Sequence, residues 1–320
     1  RVKEWLPEHQ VVLTRFEGYW DDAPNIVSWT YRLYPSREKL LEALEKGEVN
    51  LALVQLEEEE QVRAIKGVEL LGLPSSRYYF IAFNSADPIL ADVRVRKALS
   101  YALDRQRILE VVLGGEGTLI NSPFPPGHWA LAGGEPPIPP YDPAYARSLL
   151  EQAGWSDGDG DGFLEKNDTP LRISVAANGE NPIRVKTAML AVQYYRAIGV
   201  DAEAHIMEWG NLLEKLFHHN YQAAVFSWPI NPDPDQRLFF ASNEAKLKEG
   251  FNFVSYANPR VDNLLREGLR ASGCAPNSRA QAYRELALIL AEERPYDFLF
   301  IPHTLVAAQE EVLPEIQKIR

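Results

Sequence analysis

The chain has 320 residues, which at a rough guide of about 150 per domain points to two domains, and 46% of them are hydrophobic, enough to fill a sizeable core. A formal net charge of −12 argues against a nucleic-acid binder, which needs Lys and Arg to neutralise phosphates, and against attachment to an anionic membrane surface through basic patches. The one cysteine, Cys274, excludes an intrachain disulfide and any cysteine-cluster zinc site, and no run approaches the ~18 apolar residues of a membrane span.

Residues 10–16 (QVVLTRF) and 28–34 (SWTYRLY) read as strands, being rich in β-branched and aromatic side chains. Ser36 caps a helix over 37–46 that Gly47 ends, with Leu40, Leu41 and Leu44 on one face. Strand 50–54, helix 57–65 and strands 68–73 and 77–84 follow, an alternation that predicts an α/β sheet with helical covers. Helix 92–103 carries the stripe Val95, Leu99 and Ala102, and Asp104 caps a second helix over 104–113. The Gly- and Pro-rich segment 114–143 has too many fixed φ angles and missing donors for a helix or a central strand. It reads as an ordered excursion pinned by Phe124, Trp129 and Tyr141, with a disordered linker as the alternative.

Helix 142–153 leads into the acidic loop 155–168 and strand 171–176. Helix 182–198 carries Val185, Met189, Val192 and Tyr195 at three- and four-residue spacing, and Gly199 stops it before strand 200–207, which predicts a parallel strand–helix–strand unit. Helix 210–218 and strand 221–227 repeat the theme. Helices near 258–271 and 277–293 and strand-like 296–301 and 304–308 close the chain.

Three groups of residues are candidates for function. Trp209 stands where a strand ends and a helix starts, and Trp228 ends the next strand. Both belong at the sheet edge where open α/β folds bind ligands, although plain core is the alternative for each. The loop Asp157 to Asp168 has the spacing of a calcium loop, with carboxylates Asp157, Asp159 and Asp161, a glycine at the sixth place, the Phe163 carbonyl at the seventh and Asp168 at the twelfth. Asp168 is shorter than the usual bidentate glutamate and a strand follows, so an Asp/Gly-rich turn is the alternative; either way the role is structural. The adjacent His218 and His219 face different directions at a helix end, and His303 near the closing strands is a candidate facing a cleft. No G-x-S-x-G, Walker loop, G-x-G-x-x-G after a strand, or H-E-x-x-H appears.

Several stretches in order resemble one family. They are Val2-Lys3-Glu4-Trp5 with VVLTRFEGYW (11–20), ALEKGEVNLALV (43–54), YFIAFNS (79–85) running into DVRVRKALSYALDRQRIL (92–109), NSPFPPGHWA (121–130), YDPAYARSLLEQAGW (141–155), DGDGDGFLEK (157–166), NPRVDNLLREG (258–268) and YRELALILAEERPYDFLFIPH (283–303). Together they resemble the family 5 extracellular solute-binding proteins, which include oligopeptide-, dipeptide- and nickel-binding components of ABC importers. The resemblance implies a periplasmic-binding-protein-like two-lobe α/β fold with mixed sheets covered by helices. Residues 1–90 are then part of the first lobe, 91–300 the second lobe and 301–320 a return to the first, with about two hundred further residues and a signal peptide expected upstream.

The resemblance also implies an extracytoplasmic monomer that captures a peptide or oligosaccharide in an interlobe cleft and docks on permease subunits, without catalysis. In it the two Trp line side-chain pockets. An aspartate three residues after the second Trp pairs with a peptide's α-ammonium; here that place is Asn231, and Asp233 or Asp235 is the substitute in a shorter loop. The Asn favours a neutral ligand such as an oligosaccharide, and turn chemistry beside prolines is the alternative for the two aspartates. A ligand-sensing effector domain of a regulator and a glycosidase or peptidase using Asp233 are the other functions considered, the last disfavoured because acids two residues apart rarely span a sugar.

Overall fold

The computed structural model describes residues 1–271 and 275–314. The chain divides into two compact units, Arg1–Gly72 with the described residues from Leu305 on, and Leu73–Thr304. These divisions fall at 72/73 and 304/305, where the sequence placed them at 90/91 and 300/301, and residues 315–320 of the expected return lie outside the described part.

In the first unit, β1 (Val2–Leu6), β2 (Gln10–Thr14) and β3 (Ser28–Arg32) form an antiparallel meander. Strand β1 was not foreseen, since VKEWL does not alternate and all five residues are exposed. Helix α1 (Arg37–Glu45) is capped by Ser36, whose side chain accepts from the Lys39 N–H, and buries Leu41 and Leu44. Strand β4 (Leu51–Val54), the short helix α2 (Glu59–Arg63) and β5 (Val68–Pro74) complete this part of the chain. A small core gathers Leu41, Leu44, Ala52, Val54, Val62, Leu305 and Ala307.

The second unit opens with β6 (Arg77–Phe83), followed by α3 (Val93–Tyr101), α4 (Arg105–Leu113) and β7 (Gly117–Leu119). Helix α5 (Pro143–Gln152) and the tiny hairpin of β8 (Glu165–Lys166) and β9 (Thr169–Pro170) come next. Then follow β10 (Arg172–Asn178), α6 (Pro182–Ala197), β11 (Asp201–Met207), α7 (Trp209–Phe217), β12 (Ala223–Pro229), α8 (Arg237–Phe240), α9 (Pro259–Arg270), α10 (Pro276–Glu293) and β13 (Tyr296–Gln309). The two closing strands read from the sequence are thus one. Residues 296–302 pair with β6 and β7 in the second unit, and residues 305–308 pair with β4 in the first. Pro302 is accommodated within this strand.

The sheet of the second unit runs β11–β10–β12–β6–β13. Strands β10, β11 and β12 are parallel, while β6 and β13 are antiparallel to their neighbours. Helices cover both faces, so its strands bury alternate residues in two different cores. On β6, Tyr79, Ile81 and Phe83 enter the core under α3, α4, α5 and α6, while Tyr78, Phe80 and Ala82 enter the one under α7, α9 and α10. A fully buried side chain of this size contributes roughly 1.5–3 kcal/mol.

Segment 114–143 is pinned, as expected of an ordered excursion. Phe124, Ala130 and Leu131 are buried, and the Asn121 amide donates to the Pro137 carbonyl at 2.6 Å. Tyr141 stays half exposed and only meets Tyr194 edge-on.

Helix α6 corrects one expectation. Of the expected stripe, Val192 and Tyr195 are buried but Met189 is exposed, and Arg184, Thr187, Ala188 and Ala191 complete the inward face.

A buried ion pair fixes the start of β13. Asp297, fully buried, accepts from the Ser100 hydroxyl at 2.7 Å and from the Arg105 guanidinium, with Arg294 3.5 Å away. Asp297→Ala leaves two buried guanidinium groups without their counter-charge, and a loss of about 3–5 kcal/mol is expected in urea unfolding.

Candidate functional site

The candidate site stands at the carboxyl ends of β10, β11 and β12. Strand β10 lies between the other two, so its return through α6 to β11 and the next return through α7 to β12 pack on opposite faces. That divergence opens a crevice beyond the strand ends. Pairing of β10 with β12 is recorded only over Val175–Ala176, which leaves Phe226 to Pro229 running on past it.

A concavity of about 620 Å³ occupies this place, within the second unit. Its apolar wall is built from three segments: Trp209 and Leu213 from α7, Phe226 and Trp228 from β12, and Phe251 and Phe253 from the loop before α9. Residues 226 and 228 share a face of β12 by strand alternation. Trp209 lies parallel to Phe226 (centroids 5.6 Å, 9°), and Trp228 meets Phe226 edge-on at 4.9 Å and stacks on Phe239 at 4.5 Å. The Trp228 indole N–H donates to the Tyr296 hydroxyl at 3.1 Å, which fixes the ring, and burial pushes the Tyr296 phenol well up. Trp209 is 40% exposed, and its backbone N–H donates to the Glu180 carboxylate at 3.3 Å.

The two tryptophans expected at one sheet edge therefore meet in one pocket. The other expected ligand residues do not line it. Asp233 accepts two hydrogen bonds from Arg279, at 2.7 and 2.9 Å, which hold its carboxyl below the usual range. Arg279 also lies over the rings of Trp129 and Tyr283. Asp235 closes on Arg237, and Asn231 is exposed on the same loop. The loop's aspartates are thus engaged in anchoring it. His303 shares a hydrogen bond with the Thr118 hydroxyl at 2.8 Å and stands 3.5 Å from Glu116, away from the aromatic wall. His218 caps its own helix on the Glu214 carbonyl, whereas His219 turns to Ser255, so the adjacent histidines diverge as expected.

Among the residues not anticipated, Arg184 is foremost. It reaches from the first turn of α6 across the strand ends, donating to the Asn178 side-chain oxygen at 2.7 Å and the Ser227 hydroxyl at 2.8 Å. Its guanidinium lies 4.4 Å from the Phe226 ring centroid and 5.1 Å from that of Trp209. The signal was present in the sequence: Arg184 stands four and seven residues before Ala188 and Ala191, on the face that turned inward.

In the acidic loop, one oxygen each of Asp157, Asp159 and Glu165 lie within 4.8 Å of one another. Asp161 accepts from the Phe163 N–H and Asp157 from the N–H groups of Gly160 and Gly162. Asp168 sits instead with Asn167 at positive φ in the turn joining β8 and β9, the two-residue turn this hairpin needs. The carboxylate set expected from twelve-residue spacing is thus not the one assembled; Glu165 joins it, while Asp161 and Asp168 stand outside.

Comparison with known proteins places these features in context. Residues 1–246 match the sequence profile described as bacterial extracellular solute-binding proteins, family 5 Middle. The oligopeptide-binding protein AppA of Bacillus subtilis is 28% identical over 313 residues, 97% of this chain and 57% of its own length. The dipeptide-binding protein of Escherichia coli is 24% identical over 96% of this chain and 55% of its own. Among solved structures, AppA from Bacillus subtilis in complex with a nonapeptide aligns with a TM-score of 0.72 at 27% identity, over 97% of this chain and 61% of that one. A nickel ABC transporter structure from Bacillus halodurans aligns with a TM-score of 0.79 at 23% identity, over 97% and 64%, and so shares the fold. The chain spans between half and two thirds of the length of these relatives.

The Asp233–Arg279 pair is open to solvent on the Asp side, so Asp233→Ala is expected to cost less than about 1 kcal/mol in urea unfolding. Because the folded carboxyl is held below its ordinary range, this contribution is full above about pH 4 and fades as the pH falls through the lowered value; stability of wild type and variant measured against pH should converge in acid.

Proposed function

Since this chain belongs to the family 5 bacterial extracellular solute-binding proteins, we propose that it is the larger part of the substrate-binding component of an ABC importer, which captures a peptide or related solute outside the cytoplasmic membrane and delivers it to permease subunits without chemical turnover. The observation that carries this reading is the pocket at the parallel strand ends, walled by Trp209, Phe226, Trp228, Phe251 and Phe253. Such a wall buries an apolar side chain of a ligand and excludes water from its polar groups, and its rings are already fixed by stacking before any ligand arrives. The peptide-binding relatives favour a peptide over the other solutes handled within the family.

The test is calorimetric titration of the intact protein with a peptide library, followed by Trp228→Ala. Removing the indole is expected to weaken binding by at least about tenfold in protein that is still folded at the temperature of the titration, as checked by its melting curve. Unchanged affinity, or cleavage of the bound peptide, contradicts the reading. The acidic loop has a structural part in this proposal. Asp157→Ala is expected to lower the melting temperature without altering peptide affinity. A melting temperature that rises with millimolar calcium in the wild type and not in the variant assigns an ion to the trio; indifference to calcium leaves turn chemistry alone.

A further inference from the structure

Two loops adjoin the aromatic concavity, and a histidine ties down each of them. The first, residues 230–235, leaves β12 directly after Trp228 and Pro229. The second, residues 250–256, carries Phe251 and Phe253 of the wall. His128, at the start of the short turn Trp129–Leu131, reaches the first loop. Its Nδ1 accepts from the Ala130 backbone N–H at 3.1 Å, and the Pro232 carbonyl accepts from the ring. A backbone N–H can only donate, so Nδ1 carries no proton and the imidazole is neutral, with its proton on Nε2. The ring stacks with Phe124 at 5.7 Å and with Trp129 at 5.5 Å between centroids.

His219 ties the second loop. It follows α7 at φ 52°, and its Nδ1 shares a hydrogen bond with the hydroxyl of Ser255, itself at φ 51°. The buried Asn84 amide donates to the His219 and Tyr221 carbonyls at 3.0 and 2.9 Å, and the Tyr221 hydroxyl donates to the Phe253 carbonyl at 3.0 Å. Of the two side chains that join this turn to the wall loop, His219 is the one that changes charge near neutral pH. Its Nε2 is buried without a partner, so a charged imidazole carries a proton there that nothing receives.

Burial pushes both imidazoles below the ordinary value, at His128 against the opposing pull of the Pro232 carbonyl and Asp233. Around His128 stand Asp233, closed on Arg279 of α10, Asp235, closed on Arg237, and Glu135, which accepts from the Gly127 N–H. Lys215 of α7, Asp87 after β6 and His205 of β11 line one groove with His219, and Lys248 and Glu249 before the wall loop are exposed. Among the described residues the histidines in ion pairs are His205 and His303, so neither His128 nor His219 has a carboxylate to compensate a charge. We propose that His128 and His219 are positioning residues of the aromatic pocket: neutral, they hold the two loops beside it, and protonated they release them, so that ligand is held at neutral pH and let go in acid. This rests on the binding function proposed above and adds its regulation. The closed arrangement binds fewer protons than one in which the two rings reach water. It is therefore fully favoured above about pH 6.5 and loses ground as the pH falls below that value, by up to about tenfold per pH unit for each histidine.

The experiment is calorimetric titration of the intact protein with the tripeptide Ala-Phe-Ala at about pH 7 and about pH 5, between which its terminal groups stay mainly charged. Wild-type affinity is expected to be at least about threefold weaker at the lower pH, in protein that its melting curve shows to be folded there. His128→Asn keeps an acceptor for the Ala130 N–H, His219→Asn accepts a positive φ and keeps a hydrogen-bonding side chain, and neither asparagine titrates. The ratio of affinities at the two pH values is expected to shrink in each single variant and to approach one in the double variant. Equal wild-type affinity at the two pH values overturns the role of the histidines, and so does a fall that persists in the double variant, which assigns it to another group. In either case, binding still weakened by Trp228→Ala leaves the pocket reading standing. Binding that ignores Trp228→Ala, or none at millimolar concentration, overturns both.

Discussion

Burial of one mixed sheet on both faces is the constraint from which the rest of the second unit follows. Because helices cover each side, every strand must supply two cores at once, and residues 78 to 83 of β6 do so strictly in turn. That alternation fixes register. A slip of one residue in β6 against β12 exchanges Phe80 with Ile81 across the sheet and disorders both cores. The buried Asp297 with Arg105 and Arg294 adds a polar pin where β13 enters the sheet.

The site is a by-product of the same packing. On the face under α7, the column Tyr78, Phe80, Tyr296 and Phe298 is closed to solvent, and it continues toward the strand ends as Phe226 and Trp228, where helical cover gives out. The pocket wall is therefore the exposed end of a core, and its rings inherit the rigidity of that core. Preorganisation of this kind lowers the entropy lost when a ligand is held. At the same place the helices leaving β10 and β11 part to opposite faces, which lets Arg184 cross from α6 to Ser227. Rigid aromatic wall and buried cation thus meet because strand order reverses around β10.

Around this centre the loops have their own local chemistry. Asp233 and Asp235 hold the segment after β12 through Arg279 and Arg237, and the acidic loop folds on Asp157, Asp161 and Glu165. Carboxylates in such loops are spent on backbone N–H groups and neighbouring guanidinium groups, so an acidic residue beside a pocket is not by that fact a ligand-binding one.

Much of this was legible in the sequence because it depends on near neighbours. Ser36 and Asp104 mark helix starts, Gly47 and Gly199 mark ends, and the succession of strands and helices from residue 172 to 229 gives a parallel unit with Trp209 and Trp228 at its carboxyl edge. The ordered stretches carried the family as well. Tertiary structure alone decided that α6 turns Arg184, Ala188 and Ala191 inward beside Val192 and Tyr195 and leaves Met189 outside. It decided that Asp233 answers to Arg279, 46 residues away, that Glu165 and not Asp168 joins Asp157 and Asp159, and that Arg184 donates to the neutral Asn178 and Ser227 side chains. Local sequence sets conformational preference over a few residues, whereas the partner of a charge depends on which distant segments the packed sheet brings within hydrogen-bond reach.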